Sequence, residues 1–196
     1  MTTFVLATAN PHKTEEMRAV LKDLGIELLA RPAHVAEVPE NEVTLEGNAL
    51  LKARALVDAT GHAAIADDTG LFVDALGGRP GVFSARYAGE HASYDDNVAK
   101  LLAELIDVED ARRGAVFRTV VCVAYPSGES LWVEGDLPGR IARERRGDFG
   151  FGYDPVFVPS DADGRTLAEL TPEEKNANSH RARALRALVE ALGTSS

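Results

Sequence analysis

The sequence predicts an α/β fold built on a mixed β-sheet. Three observations predict it. Strand-like apolar runs alternate with helix-period stretches through the N-terminal third. Two longer strand-like runs flank Pro126-Ser127-Gly128-Glu129, which reads as a hairpin turn. An amphipathic helix closes the chain.

Taken in order, Phe4, Val5, Leu6 and Ala7 form a buried strand. Asn10-Pro11 then reads as N-cap and first helical residue. Met17, Val20, Leu21 and Leu24 follow at helical spacing, and Gly25 ends the helix. Residues 26–30 form a second strand. A second helix starts at Thr44 and runs to about Ala59, with Leu45, Ala49, Ala53 and Leu56 along one stripe. Residues 63–66 return as a short strand. The middle is richer in β-structure, with strands expected at 71–73, 115–125 and 131–134. Between them 93–106 forms a helix, with Ser93 and Asp96 placed like a capping box. Thr171-Pro172-Glu173-Glu174 combines an N-cap, a first-position proline and an acid at the third position. Leu185, Leu188, Val189 and Leu192 give the last helix its apolar face.

A length of 196 residues suits one domain, or one domain with a lobe. With 45% hydrophobic and 27% charged residues, the chain has the profile of an ordinary globular protein. Its longest clear apolar run, 120–125, is too short to span a bilayer, so no membrane role is expected. No basic, hydrophobic leader opens the chain, which points to the cytoplasm. The single cysteine, Cys122, lies inside that apolar run and reads as a small buried hydrophobe, not a nucleophile. Acidic residues outnumber basic ones by 31 to 21, and a net charge of −10 repels nucleic acid. A polyanionic ligand would therefore need a local cluster of cations or a metal.

Four polar constellations meet that need to different degrees. Thr8-Ala9-Asn10-Pro11-His12-Lys13 joins a strand to a helix start, where free N–H groups favour anions and Lys13 adds charge. A capped helix with an exposed lysine would look the same, and no Walker-type glycine loop is present. Asp67-Asp68-Thr69-Gly70 follows directly on a short strand. Adjacent carboxylates at a strand end face different directions, so one can hold Mg²⁺ while its neighbour orients a water. A solvated turn is the alternative. Phe149-Gly150-Phe151-Gly152-Tyr153-Asp154-Pro155 can bring an aromatic face against a base, or simply fill the core. Lys175-Asn176-Ala177-Asn178-Ser179-His180-Arg181 gathers cations and donors before an amphipathic helix, where a solvated helix start would also serve. Arg140, Arg143, Arg145 and Arg146 read as a solvated edge.

In this order the motifs resemble the inosine triphosphate pyrophosphatase family, which includes the bacterial dITP/XTP pyrophosphatases. The likeness runs from Phe4 to Arg181. It rests on Thr8 to Lys13 with Glu16, on Thr44-Leu45-Glu46-Gly47-Asn48-Ala49 leading to Lys52-Ala53, and on the stretch around Asp67-Asp68. It continues through Gly77-Gly78-Arg79-Pro80-Gly81, Ser84-Ala85-Arg86-Tyr87, the Phe151 to Pro155 loop, and Glu174-Lys175 with Ser179-His180-Arg181.

The resemblance implies one domain over 1–196, with two lobes around a curved mixed β-sheet, flanking helices, and a nucleotide cleft between the lobes. It also implies a homodimer. Thr8, Asn10, Lys13 and Lys52 become triphosphate contacts. Asp68 becomes general base and Mg²⁺ ligand, with Glu40 as a second metal carboxylate, and Thr69 stands where the family often has serine. Phe151, Gly152, Tyr153 and Asp154 become the base-binding loop, completed by Lys175, His180 and Arg181. Two departures stand out. His12 replaces a small residue, and Gly47 stands where many members carry a second glutamate.

The implied reaction hydrolyses dITP, ITP, XTP or dXTP between the α- and β-phosphates, to the monophosphate and pyrophosphate. That would clear deaminated purines from the nucleotide pool without a covalent intermediate. Deamination turns an amino donor into a carbonyl acceptor, which donors such as His180 and Arg181 can read. Two rivals are a pyrophosphatase for modified pyrimidine or methylated nucleotides, and a non-catalytic nucleotide-binding or dimerisation module. The module would not need Asp68 and Glu40 beside phosphate lysines.

Overall fold

The computed structural model describes residues 2–23 and 25–193. The chain runs β1 (Thr2–Leu6), α1 (Pro11–Asp23), β2 (Ile26–Leu29), α2 (Leu45–Thr60), β3 (Ala64–Val73), β4 (Pro80–Gly81), α3 (Tyr94–Glu104), β5 (Gly114–Ala124), β6 (Ser130–Ile141), β7 (Phe157–Pro159), α4 (Pro172–Asn178) and α5 (His180–Gly193). Among the described residues the strands form one mixed sheet in the order β2-β1-β3-β5-β6-β7, with β4 paired to β3. β1 lies parallel to both β2 and β3, and each parallel neighbour is reached through a helical crossover. β4 on β3 and β7 on β6 are antiparallel.

Local chemistry explains most boundaries. Asn10 caps α1, its Oδ1 accepting from His12 N at 3.0 Å and Lys13 N at 3.4 Å. Thr44 caps α2 by accepting from Gly47 N at 3.0 Å. Ser93–Asp96 and Thr171–Glu174 are both reciprocal capping boxes. The turn after β5 closes with Tyr125 N donating to Glu129 O at 3.0 Å. Leu24, expected on the apolar stripe of α1, lies outside the described residues.

The short strand expected at 63–66 is instead the first part of a ten-residue strand. Asp67 and Asp68 thus lie within β3, not at a strand end. Side chains alternate there because the period of a strand is two. The apolar residues after Asp68, Leu71 and Val73, are buried and continue the strand.

By backbone contacts the chain divides into two compact units, residues 1–68, 119–135 and 180–196, and residues 69–118 and 136–179. The first unit has two cores. Phe4, Leu6, Met17, Leu21, Ile65 and Leu185 belong to one, on the α1 and α5 side. Val5, Ala53, Leu56, Ala64 and Ala66 belong to the other, on the α2 side. Gly135 lets β6 approach α5, since a Cβ there would stand 2.4 Å from His180 O and 2.3 Å from Ala184 N. The second unit packs Leu71, Val98, Leu101, Phe117, Phe157 and Leu167 into its own core. Cys122 is buried, and burial pushes its thiol up to about 11, as its reading as a hydrophobe requires. No helix among the described residues is long and apolar enough to cross a membrane.

Candidate active site

In the first unit the alternation of β3 sends its two carboxylates into different surroundings. Asp67 follows Ile65 toward α1 and α5, where its Oδ2 receives Lys13 Nζ, Arg181 Nε and Arg181 Nη2, each at 3.1 Å. Arg181 Nη1 also pairs with Glu16 on α1. Lys13 and Glu16 lie one helical turn apart, so α1 presents a cation and an anion together. Burial works against the Asp67 charge, but Lys13, Arg181 and Lys52 outweigh it and hold the carboxyl far below the usual range.

Asp68 follows Ala64 and Ala66 toward α2. Its Oδ2 accepts from Asn48 Nδ2 at 3.1 Å, and its Oδ1 lies 3.3 Å from Lys52 Nζ. The same ammonium sits 2.8 Å from Glu40 Oε1, so Lys52 bridges the two carboxylates. Asn48 Oδ1 takes Glu42 N at 3.0 Å, which ties the segment carrying Glu40 to α2. Burial raises the Asp68 carboxyl above its ordinary range, against Lys52 and Lys13, with Glu40 and Asp67 adding to the rise. Glu40 goes the other way: burial would raise it, but Lys52, seconded by Lys13, brings it below the usual value. Burial would lower the Lys52 ammonium, yet Asp68, Glu40 and Asp67 keep it above its usual value and therefore charged.

In the second unit the 149–155 loop is organised around Asp154. Its Oδ2 accepts from Phe151 N at 2.8 Å and pairs with Lys175 Nζ, both carboxylate and ammonium being buried. Gly150 has φ +74°, and a Cβ there would stand 2.1 Å from Asp154 Oδ2. Only glycine allows this turn to close on its own carboxylate. Lys175 Nζ also lies 4.8 Å from the centre of the Phe151 ring. Tyr94, at the start of α3, packs its ring 5.8 Å from that of Phe151, centre to centre. Tyr153 is buried in the core of this unit and donates its hydroxyl to Ser84 O at 2.9 Å.

The expected residues thus fall into two groups. Thr8, Asn10, Lys13, Glu40, Lys52, Asp68, His180 and Arg181 belong to the first unit, and Thr69, Phe151, Gly152, Tyr153, Asp154 and Lys175 to the second. Thr8 Oγ1 accepts from Asn10 N at 3.1 Å and so shapes the turn into α1. The 175–181 run is divided, because Ser179 is extended (ψ 162°) and separates α4 from α5. Lys175 goes to Asp154, while Arg181 goes to Asp67 and Glu16. Of the arginine edge, Arg143 and Arg145 pair with Asp110 and Asp95 at the surface as expected, while Arg146 is half-buried and donates to Gly164 O at 2.9 Å.

Sequence reasoning passed over Asp67 as a hub in its own right, and Asn48 as the tether of Asp68. A polar residue amid the apolar stripe of α2 was the available signal for Asn48.

The model of the Ham1 family matches residues 4–191. This chain belongs to the Ham1 family. A dITP/XTP pyrophosphatase of Mycolicibacterium paratuberculosis is 52% identical, the match covering 99% of this chain and 97% of that protein. The dITP/XTP pyrophosphatase of Bacillus subtilis is 46% identical over 96% of each chain. Among solved structures, a HAM1 protein from Coxiella burnetii superposes with a TM-score of 0.88 at 41% identity, covering 99% of this chain and all of that one. The Staphylococcus aureus Ham1 protein gives 0.86 at 35% identity, each chain being fully covered. The α/β fold with a curved mixed sheet is therefore that of the Ham1 proteins.

Proposed function

We propose that this Ham1-family protein is a house-cleaning pyrophosphatase. It hydrolyses dITP, ITP, XTP and dXTP to the monophosphate and pyrophosphate, and so removes deaminated purines from the nucleotide pool. One observation carries the reading: Lys13, Lys52 and Arg181 are gathered with Glu40, Asp67 and Asp68 around the head of α1 and the middle of β3. The dITP/XTP pyrophosphatases of M. paratuberculosis and B. subtilis, alike over nearly their whole length, give the substrate class.

Thr8, Asn10, Lys13 and Lys52 receive the triphosphate. Asp68 is the general base, for which a carboxyl raised by burial is suited. It takes a proton from water as the water oxygen bonds to phosphorus and the α–β anhydride bond breaks, the bond's electrons leaving on the oxygen of the departing phosphate group. Glu40 and Asp68 fit Mg²⁺. They are hard oxygen donors already sharing one cation, the Lys52 ammonium. No group of three or more His, Cys, Asp or Glu side chains that could hold a metal occurs among the described residues. Two carboxylates suit an ion whose remaining ligands are water and substrate phosphate. Mg²⁺ bound there would neutralise charge on the phosphates.

Phe151 stacks on the purine, with Gly152, Tyr153 and Asp154 forming its loop, and Thr69, next to Asp68 on β3, is a further substrate contact. His180 and Arg181 read the 6-oxo edge, and Lys175 completes the base site. Arg181 has to exchange a contact to Asp67 or Glu16 to do so. The protein acts as a cytoplasmic homodimer.

Pyrophosphate release from a nucleotide panel tests this. Turnover of dITP and XTP well above ATP, abolished by EDTA and restored by Mg²⁺, is expected. Equal turnover of all purines, or none of any, would overturn the reading.

A further inference from the structure

Lys52 stands in a place that matters for metal binding. Its Nζ is 2.8 Å from Glu40 Oε1 and 3.3 Å from Asp68 Oδ1, and its side chain is only 13% exposed. An ammonium between two carboxylates does electrostatically what a bound monovalent cation does. A divalent ion using the same two oxygens must dislodge it or suffer its repulsion at close range, which at this depth is worth several-fold to many-fold in affinity. Lys13, a second nearby cation, pairs with Asp67 at 3.1 Å. A triphosphate changes the balance, because its oxygens offer Lys52 new acceptors.

We propose that Lys52 is the resident cation of the metal site. It offsets one of the two negative charges of Glu40 and Asp68 in the nucleotide-free protein and keeps divalent cations out until a triphosphate draws it away. Metal and nucleotide then load together. This rests on the reading of Glu40 and Asp68 as the metal carboxylates, and not on which nucleotide is cleaved.

The test uses no substrate. Mn²⁺ is titrated into the nucleotide-free full-length protein, and free Mn²⁺ is read by electron paramagnetic resonance. Lys52→Met removes the charge and keeps much of the length, so it should bind Mn²⁺ about tenfold tighter than wild type or better. Lys52→Arg keeps the charge and should stay close to wild type. Adding Glu40→Gln to Lys52→Met should cancel the gain. No gain in Lys52→Met, or a gain that survives Glu40→Gln, overturns the proposal.

A second measurement avoids any folding defect in Lys52→Met. Wild-type protein carrying ¹³C-dimethyl lysines keeps every charge, with the Lys52 signal assigned from Lys52→Arg. That signal should stay put when Mg²⁺ is added alone and move when a non-hydrolysable ITP analogue follows. An equal movement with Mg²⁺ alone overturns the proposal. The nucleotide panel decides the pyrophosphatase reading separately, so the two failures are distinguishable.

Discussion

Asp67→Asn isolates the hub of the buried ion cluster. The carboxylate is fully buried and accepts three contacts of 3.1 Å, one from Lys13 and two from Arg181. Asparagine keeps the shape but leaves a neutral amide facing two cations. Removing one partner of a buried pair costs about 3–5 kcal/mol, because the stranded charge remains desolvated. Arg181 retains Glu16, and Lys13 keeps 15% of its side chain in solvent. The expected cost is therefore near the lower end, about 3 kcal/mol. For a chain of this length that lowers Tm by roughly 6–12 °C.

Urea and thermal melts of both proteins at neutral pH measure it. The pH dependence is a second signature. A depressed folded pKa means stability that is present above the unfolded pKa and lost as pH falls toward the folded one. The gap between wild type and Asp67→Asn should thus be full at pH 7. It should narrow as pH drops below about 4, where the unfolded carboxyl begins to take up its proton. A cost under about 1 kcal/mol would refute the reasoning, since surface pairs account for that much. So would a gap that acid leaves unchanged.

Other expectations follow from the same geometry. Asp68→Asn should fold, since its one amide oxygen can still accept from Lys52, which also keeps Glu40, and should lower kcat by about 10²–10⁴, as loss of a general base does. Near-normal turnover in a folded Asp68→Asn protein would remove Asp68 from that role. Lys13→Ala should weaken every triphosphate alike, whereas Lys175→Ala, which frees Asp154 and unsettles the Phe151 ring, should change the ranking of bases. One common factor for both variants across ITP, XTP and ATP would contradict that division. Phe151→Ala should cost about 1–3 kcal/mol of binding for all purines, while Arg181→Lys should narrow the ITP-to-ATP ratio in kcat/KM. An unchanged ratio would leave Arg181 as a partner of Asp67 and Glu16 only.

Elements with strong local signals were legible in the sequence. The caps at Asn10, Ser93 and Thr171 each work through a few adjacent residues, and each appears as expected. The full length of β3 was not legible. Asp67-Asp68-Thr69-Gly70 is turn chemistry by composition, and only burial by helices of distant sequence makes it strand. The side-chain pairings were hidden for the same reason. Arg181 meets Asp67 across 114 positions of sequence, a separation that no local pattern encodes. The 175–181 run read as one cluster, yet a single extended residue, Ser179, sends its two cations to different carboxylates.

The charge of the whole chain and the charge of the cluster lead to one conclusion. A net charge of −10 left a polyanion with two ways in, local cations or a metal. Local cations are present, but none stands alone. Lys13 and Arg181 are bound to Asp67, Arg181 also to Glu16, and Lys52 to Glu40 and Asp68. Three cations among four carboxylates do not make a positive field, so the cluster is preorganised without being attractive to a triphosphate by itself. A divalent ion would reverse the formal sign of the cluster, and on the proposed function a nucleotide that brings one would supply that reversal at the moment of binding. On the proposed function, the carboxylates would set the lysines in position before the phosphates come, and would hand them over when the metal does.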